Sequence, residues 1–436
     1  MEEKPNIVLF ITHDQGQFLS CYNSAQFPNS LSTSNINRLA NNGVRFNNYF
    51  CTAPQCSPSR GSLMTGLYPH QNGLMGLVNL GWTLPENNIT LPMYLREYGY
   101  STHLLGLQHE SINVSSLGYD KVSERVRSYK YTTEKMEEQY TKFFEDRANE
   151  DNPFFVNIGT IEVHRPFELW SDSVDPKYVK VPPFLPDNEM VREDLGLYYG
   201  SIENVDLAIG KIIQCLDKLK LRKNTLFIYT TDHGSPFPRS KCTLYDPGIK
   251  IALVMNYPDS EVFTGGKVIN EMISNIDLLP TILDVIGGKK PRQIEGISFL
   301  PLLKDLYGRF RNEIYTEKTF HEIYDPIRSV RTEKFKYIRN FESFDSLYQL
   351  PLDIQRSPSG KYLEDSIKKP RVEEEIYDLE KDPHENSNLI NDPTYLKVLT
   401  DLRQKLMNWM IKTKDPLLKG KIKDERKNIN IIKKSI

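Results

Sequence analysis

Asn6-Ile7-Val8-Leu9-Phe10-Ile11-Thr12 is an unbroken apolar run of strand length that leads into His13-Asp14-Gln15. A strand with one wet face alternates polar and apolar residues. One buried on both faces does not, so this run predicts an interior strand of a parallel sheet. Two further segments have the same form. Phe154 to Ile158 leaves through Gly159 toward Glu162-Val163-His164-Arg165, and Thr225 to Thr230 ends at Thr231-Asp232-His233-Gly234. Helical patterns lie between them: Thr33 to Asn42 closed by Gly43, Leu91 to Tyr98 closed by Gly99, and a face of Ile202, Val205, Ile209, Ile212 and Leu216 at spacings of three and four. Ser101 to Leu107 is a strand leading to His109, Ile251 to Met255 continues the sheet, and Asn275 to Val285 is a helix. The alternation predicts the α/β class, with a doubly wound sheet flanked by helices. In such sheets ligands bind at the carboxyl ends of the strands, so Asp14, His164 and Asp232-His233 can converge although distant in the chain.

The pattern changes after about residue 305. Ile327 to Thr332, Phe335 to Arg339 and Glu375 to Leu379 read as short strands around turns, followed by a long amphipathic helix from Pro393 to about Ile411. The expected organisation is a catalytic α/β domain over residues 1–305 and a smaller C-terminal α+β domain over residues 306–436. The closing stretch, with Lys419, Lys421, Lys423, Arg426, Lys427, Lys433 and Lys434, reads as a solvated tail.

With 436 residues and 39% hydrophobic content the chain can bury a large core. A net charge of −2 gives no global pull on polyanions, so nucleic acid is excluded as a partner and any anionic substrate needs a local basic cluster. Five cysteines at irregular spacing make no disulfide framework and no zinc pattern. No stretch reaches the roughly 18 apolar residues of a membrane span. The acidic start, Met1 to Pro5, runs into the first strand with no signal peptide, so the chain as it stands is expected in the cytoplasm, or in the periplasm or outside the cell if a leader has been trimmed.

The chemistry centres on Cys56-Ser57-Pro58-Ser59-Arg60-Gly61-Ser62-Leu63-Met64-Thr65-Gly66. Pro58 suits the first position of a helix, which puts Cys56 just before the N-terminus, among unpaired amides and the positive dipole end. Arg60, one turn in, adds a guanidinium that can fork onto an oxyanion. Cys56, Pro58, Ser59, Arg60, Thr65 and Gly66 together match the sulfatase signature, and the chain resembles the formylglycine-dependent sulfatases. That resemblance implies an alkaline-phosphatase-like α/β fold, with a large mixed, mostly parallel sheet flanked by helices, and oxidation of Cys56 to formylglycine by a formylglycine-generating or radical maturation enzyme. It also implies displacement at sulfur: a hydroxyl of the aldehyde hydrate attacks, a protonated His assists the leaving group, and the second hydroxyl expels sulfate.

The resemblance further implies one divalent metal held by Asp14, Asp232, His233 and the Cys56 position, Ca2+ by default with Mn2+ or Mg2+ as alternatives, and catalytic roles for Cys56, Arg60, His109, His164 and Lys241. Three departures stand out. His13-Asp14 replaces the usual pair of Asp residues, leaving His13 open as ligand, neighbour or bystander. Asp232-His233 replaces Asp-Asn, as in some phosphonate and phosphodiester hydrolases of the superfamily. Leu107 stands where a Lys precedes the His, so one cation is missing. The sulfamidase, or heparan N-sulfatase, branch matches best, through Pro69-His70-Gln71-Asn72-Gly73, His164-Arg165, Pro236-Phe237-Pro238, Leu244 to Gly248, His321-Glu322, Pro326 to Val330 and Tyr377-Asp378 with Asp382 to Glu385. By analogy, the expected substrate is a glucosamine N-sulfate, or an O-sulfate, of heparin or heparan sulfate, with His70, Arg165, His321, Glu322 and Arg328 lining the sugar pocket. A homodimer is an allowed assembly. The rival expectations are a phosphonate monoester or phosphodiester hydrolase and a catalytically silent protein that keeps the fold for binding.

Overall fold

Ile7, Leu9 and Ile11 face one side of the first strand and Val8 and Phe10 the other, and each set enters a different buried cluster. The computed structural model describes residues 4–123, 133, 136–169, 171–304 and 310–426. Lys427, Lys433 and Lys434 of the basic tail and the 305/306 boundary lie outside the described residues.

Fifteen strands are described: β1 (Asn6–Thr12), β2 (Val44–Phe46), β3 (Tyr49–Phe50), β4 (Ser101–Gly106), β5 (Lys121–Val122), β6 (Phe154–Gly159), β7 (Thr225–Thr231), β8 (Lys250–Ile251), β9 (Leu253–Asn256), β10 (Lys267–Ile269), β11 (Ile273–Ser274), β12 (Ile314–Phe320), β13 (Tyr324–Arg331), β14 (Phe335–Asn340) and β15 (Glu374–Asp378). Eight form the large sheet in the order β10-β2-β9-β7-β1-β6-β4-β5. The run β7-β1-β6-β4-β5 is parallel throughout, and β9 runs antiparallel to both β7 and β2. The sheet is therefore mixed and mostly parallel, as the sequence predicts. The carboxyl ends of β1, β6, β4 and β7 share one edge, which brings the segments after Thr12, Gly106, Gly159 and Thr231 together.

Helices cover both faces. Leu91–Glu97 and Leu278–Val285 pack on the side of Ile7 and Leu9. The 30-residue helix Glu189–Lys218 packs on the other, through Ile202, Val205, Ile209, Ile212 and Leu216. The segment predicted as one strand from Ile251 to Met255 is two. Lys250–Ile251 joins β3 and β11 in a small sheet, while Leu253–Asn256 joins the large one, so the chain changes sheets at Ala252.

Strands β12-β13-β14-β15 form an antiparallel sheet. Ile314, Ile327, Ile338 and Tyr377 from this sheet enter the same buried cluster as Ile7, while Val330, Tyr337 and Ile376 meet Leu399, Leu402, Leu406 and Trp409 of the helix Leu396–Thr413. No helix among the described residues is long and apolar enough to cross a membrane.

One buried residue gives the fold a pH dependence away from the strand edge. His103 on β4 packs its ring against Phe143, and burial first, then Arg147, pushes its imidazole down to about 4 from 6.5. The unfolded chain takes up the proton first. Stability is therefore full above about pH 6.5 and is lost as pH falls toward 4, by on the order of 2 kcal/mol after solvent screening. Chemical denaturation between pH 4 and 7 checks this, and His103→Gln should flatten that part of the curve.

Candidate active site

The helix Cys56–Thr65 begins at Cys56 itself, with Gln55 in extended backbone as its N-cap. Pro58 is thus the third helical residue, not the first. The shift costs nothing, because every amide of the first turn lacks an intrahelical acceptor and a missing N–H is not felt there. Gly66 closes the helix in the left-handed region, at φ 68°.

The thiol at this helix start meets the ends of β1 and β7. Cys56 Sγ lies 3.6 Å from Asp14 Oδ1 and 3.2 Å from His233 Nε2, and His233 Nε2 lies 2.9 Å from Asp14 Oδ1. Asp14 occupies the left-handed region at φ 48°, which an Asp accepts more readily than most residues but still at a cost. Its amide donates to Asp232 Oδ1 at 2.9 Å, which joins the two strand ends. Arg60 Nε donates to Asp232 Oδ2 at 3.1 Å, and its Nη2 to the Thr12 carbonyl at 3.3 Å. Gly234 keeps this turn closed: a Cβ there would sit 1.9 Å from the Pro247 carbonyl oxygen.

Lys241 is buried and donates to Asp14 Oδ2 at 2.6 Å and to Asp353 Oδ2 at 2.9 Å. Burial alone would lower the ammonium, but Asp14 and then Asp353 outweigh it and hold the group well above its usual range. Burial likewise pushes Asp14 up, and Lys241, His164 and His233 reverse it, keeping that carboxyl well below the ordinary value. The Cys56 thiol goes the other way, raised by burial and by the Asp14 charge.

His164 donates Nδ1–H to the Arg165 carbonyl at 2.5 Å, which leaves Nε2 facing Lys241 Nζ at 3.5 Å, Asp14 Oδ2 at 3.8 Å and Asp353 Oδ2 at 3.9 Å. The His13 ring is 5.8 Å from those of both His109 and His164. His109 is pushed down to about 3 by burial first, then by Arg60, His164 and Lys241. Cys56, Arg60, His109, His164, Lys241, Asp14, Asp232 and His233 therefore converge, and His13 joins them.

Asp353 is absent from the residues picked out by sequence. It sits in the short helix Leu352–Gln355, and Lys241 with His164 holds its carboxyl down at about 2 against burial. The same segment walls a cavity of about 150 Å³ that is also lined by Cys242, Lys318, His321, Glu322 and Gln349. His321 pairs through Nδ1 with Glu322, whose other oxygen accepts from the Leu352 amide at 3.0 Å. These two expected sugar residues do line a cavity, one that begins at Cys242, the neighbour of Lys241.

The other three expected sugar residues are arranged differently. Arg165 forks onto Asp194 at 2.6 and 2.8 Å and lies against the rings of Phe167 and Phe237, 4.4 and 4.8 Å from their centroids. Arg328 is fully buried, donating to Asp415 at 2.6 and 3.1 Å, and its Nε lies 3.4 Å from Glu317. His70 pairs through Nδ1 with the same Glu317 at 2.5 Å. Both guanidinium groups are occupied by buried carboxylates, because a carboxylate without water needs a forked cation. Arg165→Ala should therefore cost about 3–5 kcal/mol by stranding Asp194, read by urea denaturation, whereas a residue used only for sugar contact would raise KM and leave stability unchanged.

An aligned sheet edge that gathers carboxylates and a helix N-terminus around one side chain is the kind of site an α/β enzyme builds at the carboxyl ends of its parallel strands. The sulfatase family model matches residues 5–288, and that of the N-sulphoglucosamine sulphohydrolase C-terminal region matches residues 239–374. The chain belongs to the sulfatase family and is a sulfuric ester hydrolase. It is 30% identical to an ulvan-active sulfatase of Formosa agariphila, over 94% of this chain and 80% of that protein. It is 28% identical to human N-sulphoglucosamine sulphohydrolase, over 95% of this chain and 91% of that protein. A structure solved in complex with its substrate, D-glucosamine-2-N,6-O-disulfate, superposes with a TM-score of 0.71 at 19% identity, covering 94% of this chain and 98% of the other, and this likeness is one of fold.

Proposed function

We propose that the protein is a metal-dependent sulfatase acting on a glucosamine-type saccharide of the heparin or heparan sulfate kind, with the N-sulfate as its leading target and an O-sulfate as the alternative. The nucleophile is formylglycine made from Cys56. One observation carries the reading: Cys56, Asp14, Asp232, His233 and Lys241 lie in a single chain of contacts of 3.6 Å or less. The C-terminal match to N-sulphoglucosamine sulphohydrolase supports the N-sulfate.

The donor set fits a cation. One ligand atom from each of His13, Asp14, Cys56 and Asp232 falls within 4.8 Å of the others, and neither ring nitrogen of buried His13 has a hydrogen-bond partner. A divalent ion held by Asp14, Asp232, His233 and the residue at position 56 supplies a Lewis acid for the sulfate and the nucleophile. The aldehyde hydrate supplies a hydroxyl where the thiol stands.

The chain's own residues do the rest. Lys241 and Arg60, both buried, bring two fixed positive charges to the developing sulfate oxygens, and away from bulk water such charges act most strongly. His164 is oriented by the Arg165 carbonyl, so Nε2 is the atom that passes a proton to the departing group. His109, held neutral at working pH, serves as a hydrogen-bond partner instead of an acid. The cavity at His321 and Glu322 takes the sugar.

The test is sulfate release by matured full-length protein from glucosamine N-sulfate, glucosamine 6-O-sulfate and an aryl sulfate, run beside an aryl phosphonate. Release from the sulfated glucosamines supports the reading, and release from the phosphonate alone replaces it with the phosphonate hydrolase that His233 beside Asp232 favours.

A further inference from the structure

We infer that the metal site of this chain is a mixed nitrogen and oxygen site that selects a borderline first-row dication, of the Mn2+ or Zn2+ kind, over Ca2+, with His13 and His233 as the residues that set the choice. The inference rests on the metal-dependent reading above.

His233 carries the first argument. Its Nδ1 lies 2.9 Å from the Gly234 carbonyl oxygen, and a carbonyl can only accept, so Nδ1 bears the hydrogen. In the neutral ring Nε2 then presents a lone pair, aimed at Asp14 Oδ1 at 2.9 Å and Cys56 Sγ at 3.2 Å, with Asp232 Oδ1 at 3.7 Å. A backbone carbonyl fixing the tautomer while the other nitrogen faces carboxylates is how proteins hold an imidazole ligand.

His13 is the second. It is 2% exposed, neither ring nitrogen is hydrogen-bonded, and Nδ1 lies 3.2 Å from Asp232 Oδ2. A buried imidazole without partners costs free energy, and a shared cation is the partner this geometry provides.

The third argument is denticity. Ca2+ takes six to eight oxygens and often uses carboxylates through both atoms. Here Asp14 Oδ2 is occupied by Lys241 at 2.6 Å and Asp232 Oδ2 by Arg60 at 3.1 Å. Each carboxylate has one oxygen occupied by a buried cation, and Asp232 Oδ1 accepts the amides of Asp14 and His233 at 2.9 Å each, so oxygen donors are scarce and the His13 and His233 rings are the nitrogen donors beside them. Imidazole suits later first-row ions, and a shortage of free oxygen donors disfavours Ca2+.

Full-length protein stripped with a chelator and titrated by calorimetry with Mn2+, Zn2+, Ca2+ and Mg2+ tests this, alongside elemental analysis of untreated protein. Mn2+ or Zn2+ should bind at least about 100-fold more tightly than Ca2+. His233→Asn and His13→Asp should each reduce that ratio by about tenfold or more, and should shift the absorption bands of the Co2+-loaded protein. Melting curves of the stripped variants check that they are folded, and the wild-type preference is read without them. Ca2+ binding as tightly as Mn2+ and Zn2+, or variants that leave the ratio unchanged, would overturn the inference alone. Failure to bind any of the four ions would overturn the metal-dependent reading as well.

Discussion

Replacing Cys56 by Ala should reduce sulfate release by at least about 10⁴-fold while the protein stays folded. The reason lies in what the thiol touches. Cys56 is buried beside the Asp14 carboxylate, and both burial and that charge raise its thiol, so as an unmodified side chain it remains protonated and a poor nucleophile. Its position suits an oxidised successor better than a thiolate. Removing one sulfur from the first turn of a well-packed helix costs on the order of 1 kcal/mol, and the helix keeps its other contacts, among them Ser59 N to the Gln55 carbonyl at 3.1 Å and Asn275 to the Ser59 carbonyl at 3.0 Å. Circular dichroism and a melting curve next to the activity assay separate loss of chemistry from loss of fold. An Ala variant that still releases sulfate would remove Cys56 from the reaction.

Lys241→Ala should lower kcat/KM by about 10²–10³, the scale seen when one fixed donor to a developing oxyanion is lost. Leu107 sharpens this expectation. With a leucine where the resemblance to sulfatases leads one to expect a second lysine, Lys241 and Arg60 are the cations that the described site offers, and Arg60 is already bound to Asp232. The variant also leaves Asp14 and Asp353 without the ammonium between them, so a loss of stability of a few kcal/mol should accompany the loss of rate. Lys241→Arg restores charge without the same single-point geometry and should recover part of both. Steady-state kinetics on a sulfated glucosamine, paired with urea denaturation, reads the two effects apart. A Lys241→Ala enzyme with unchanged kcat/KM would end the proposed role.

Much of this arrangement was legible in the chain because interior parallel strands are continuous apolar runs. β1, β6 and β7 read directly, and each delivers a polar residue at its carboxyl end. Helix Glu189–Lys218 was legible only from Ile202 onward. Its first half carries Gly196 and Gly200, which look like breaks but are contact points: a Cβ at Gly200 would sit 1.8 Å from the Asp172 carbonyl oxygen. Strand Ile314–Phe320 was hidden for a different reason. Glu317 and Lys318 resemble surface residues, yet both are buried, Glu317 against His70 and Arg328 and Lys318 against Asp325 at 2.7 Å. Charge pattern alone cannot separate a solvated pair from a buried one.

The same blindness affected the site. Arg165 and Arg328 have the residue type an anionic sugar would need, but each forks onto a buried carboxylate, 29 and 87 positions along the chain, and Asp194 and Asp415 carry no local mark. Asp353 had no signal at all. It lies in Pro351-Leu352-Asp353, an ordinary helix start, and its role is visible only once Lys241 and His164 are found 2.9 and 3.9 Å from its carboxylate. What pointed to function was the local motif around Cys56, because its chemistry is written in adjacent residues.

The most direct test of the account is therefore mass spectrometry of the peptide containing Cys56, taken from protein made in its own host. Conversion of the thiol to the aldehyde lowers the peptide mass by about 18 Da, and the account predicts that this species is present in the active protein. Protein that releases sulfate while every Cys56 peptide retains the unmodified thiol would contradict it.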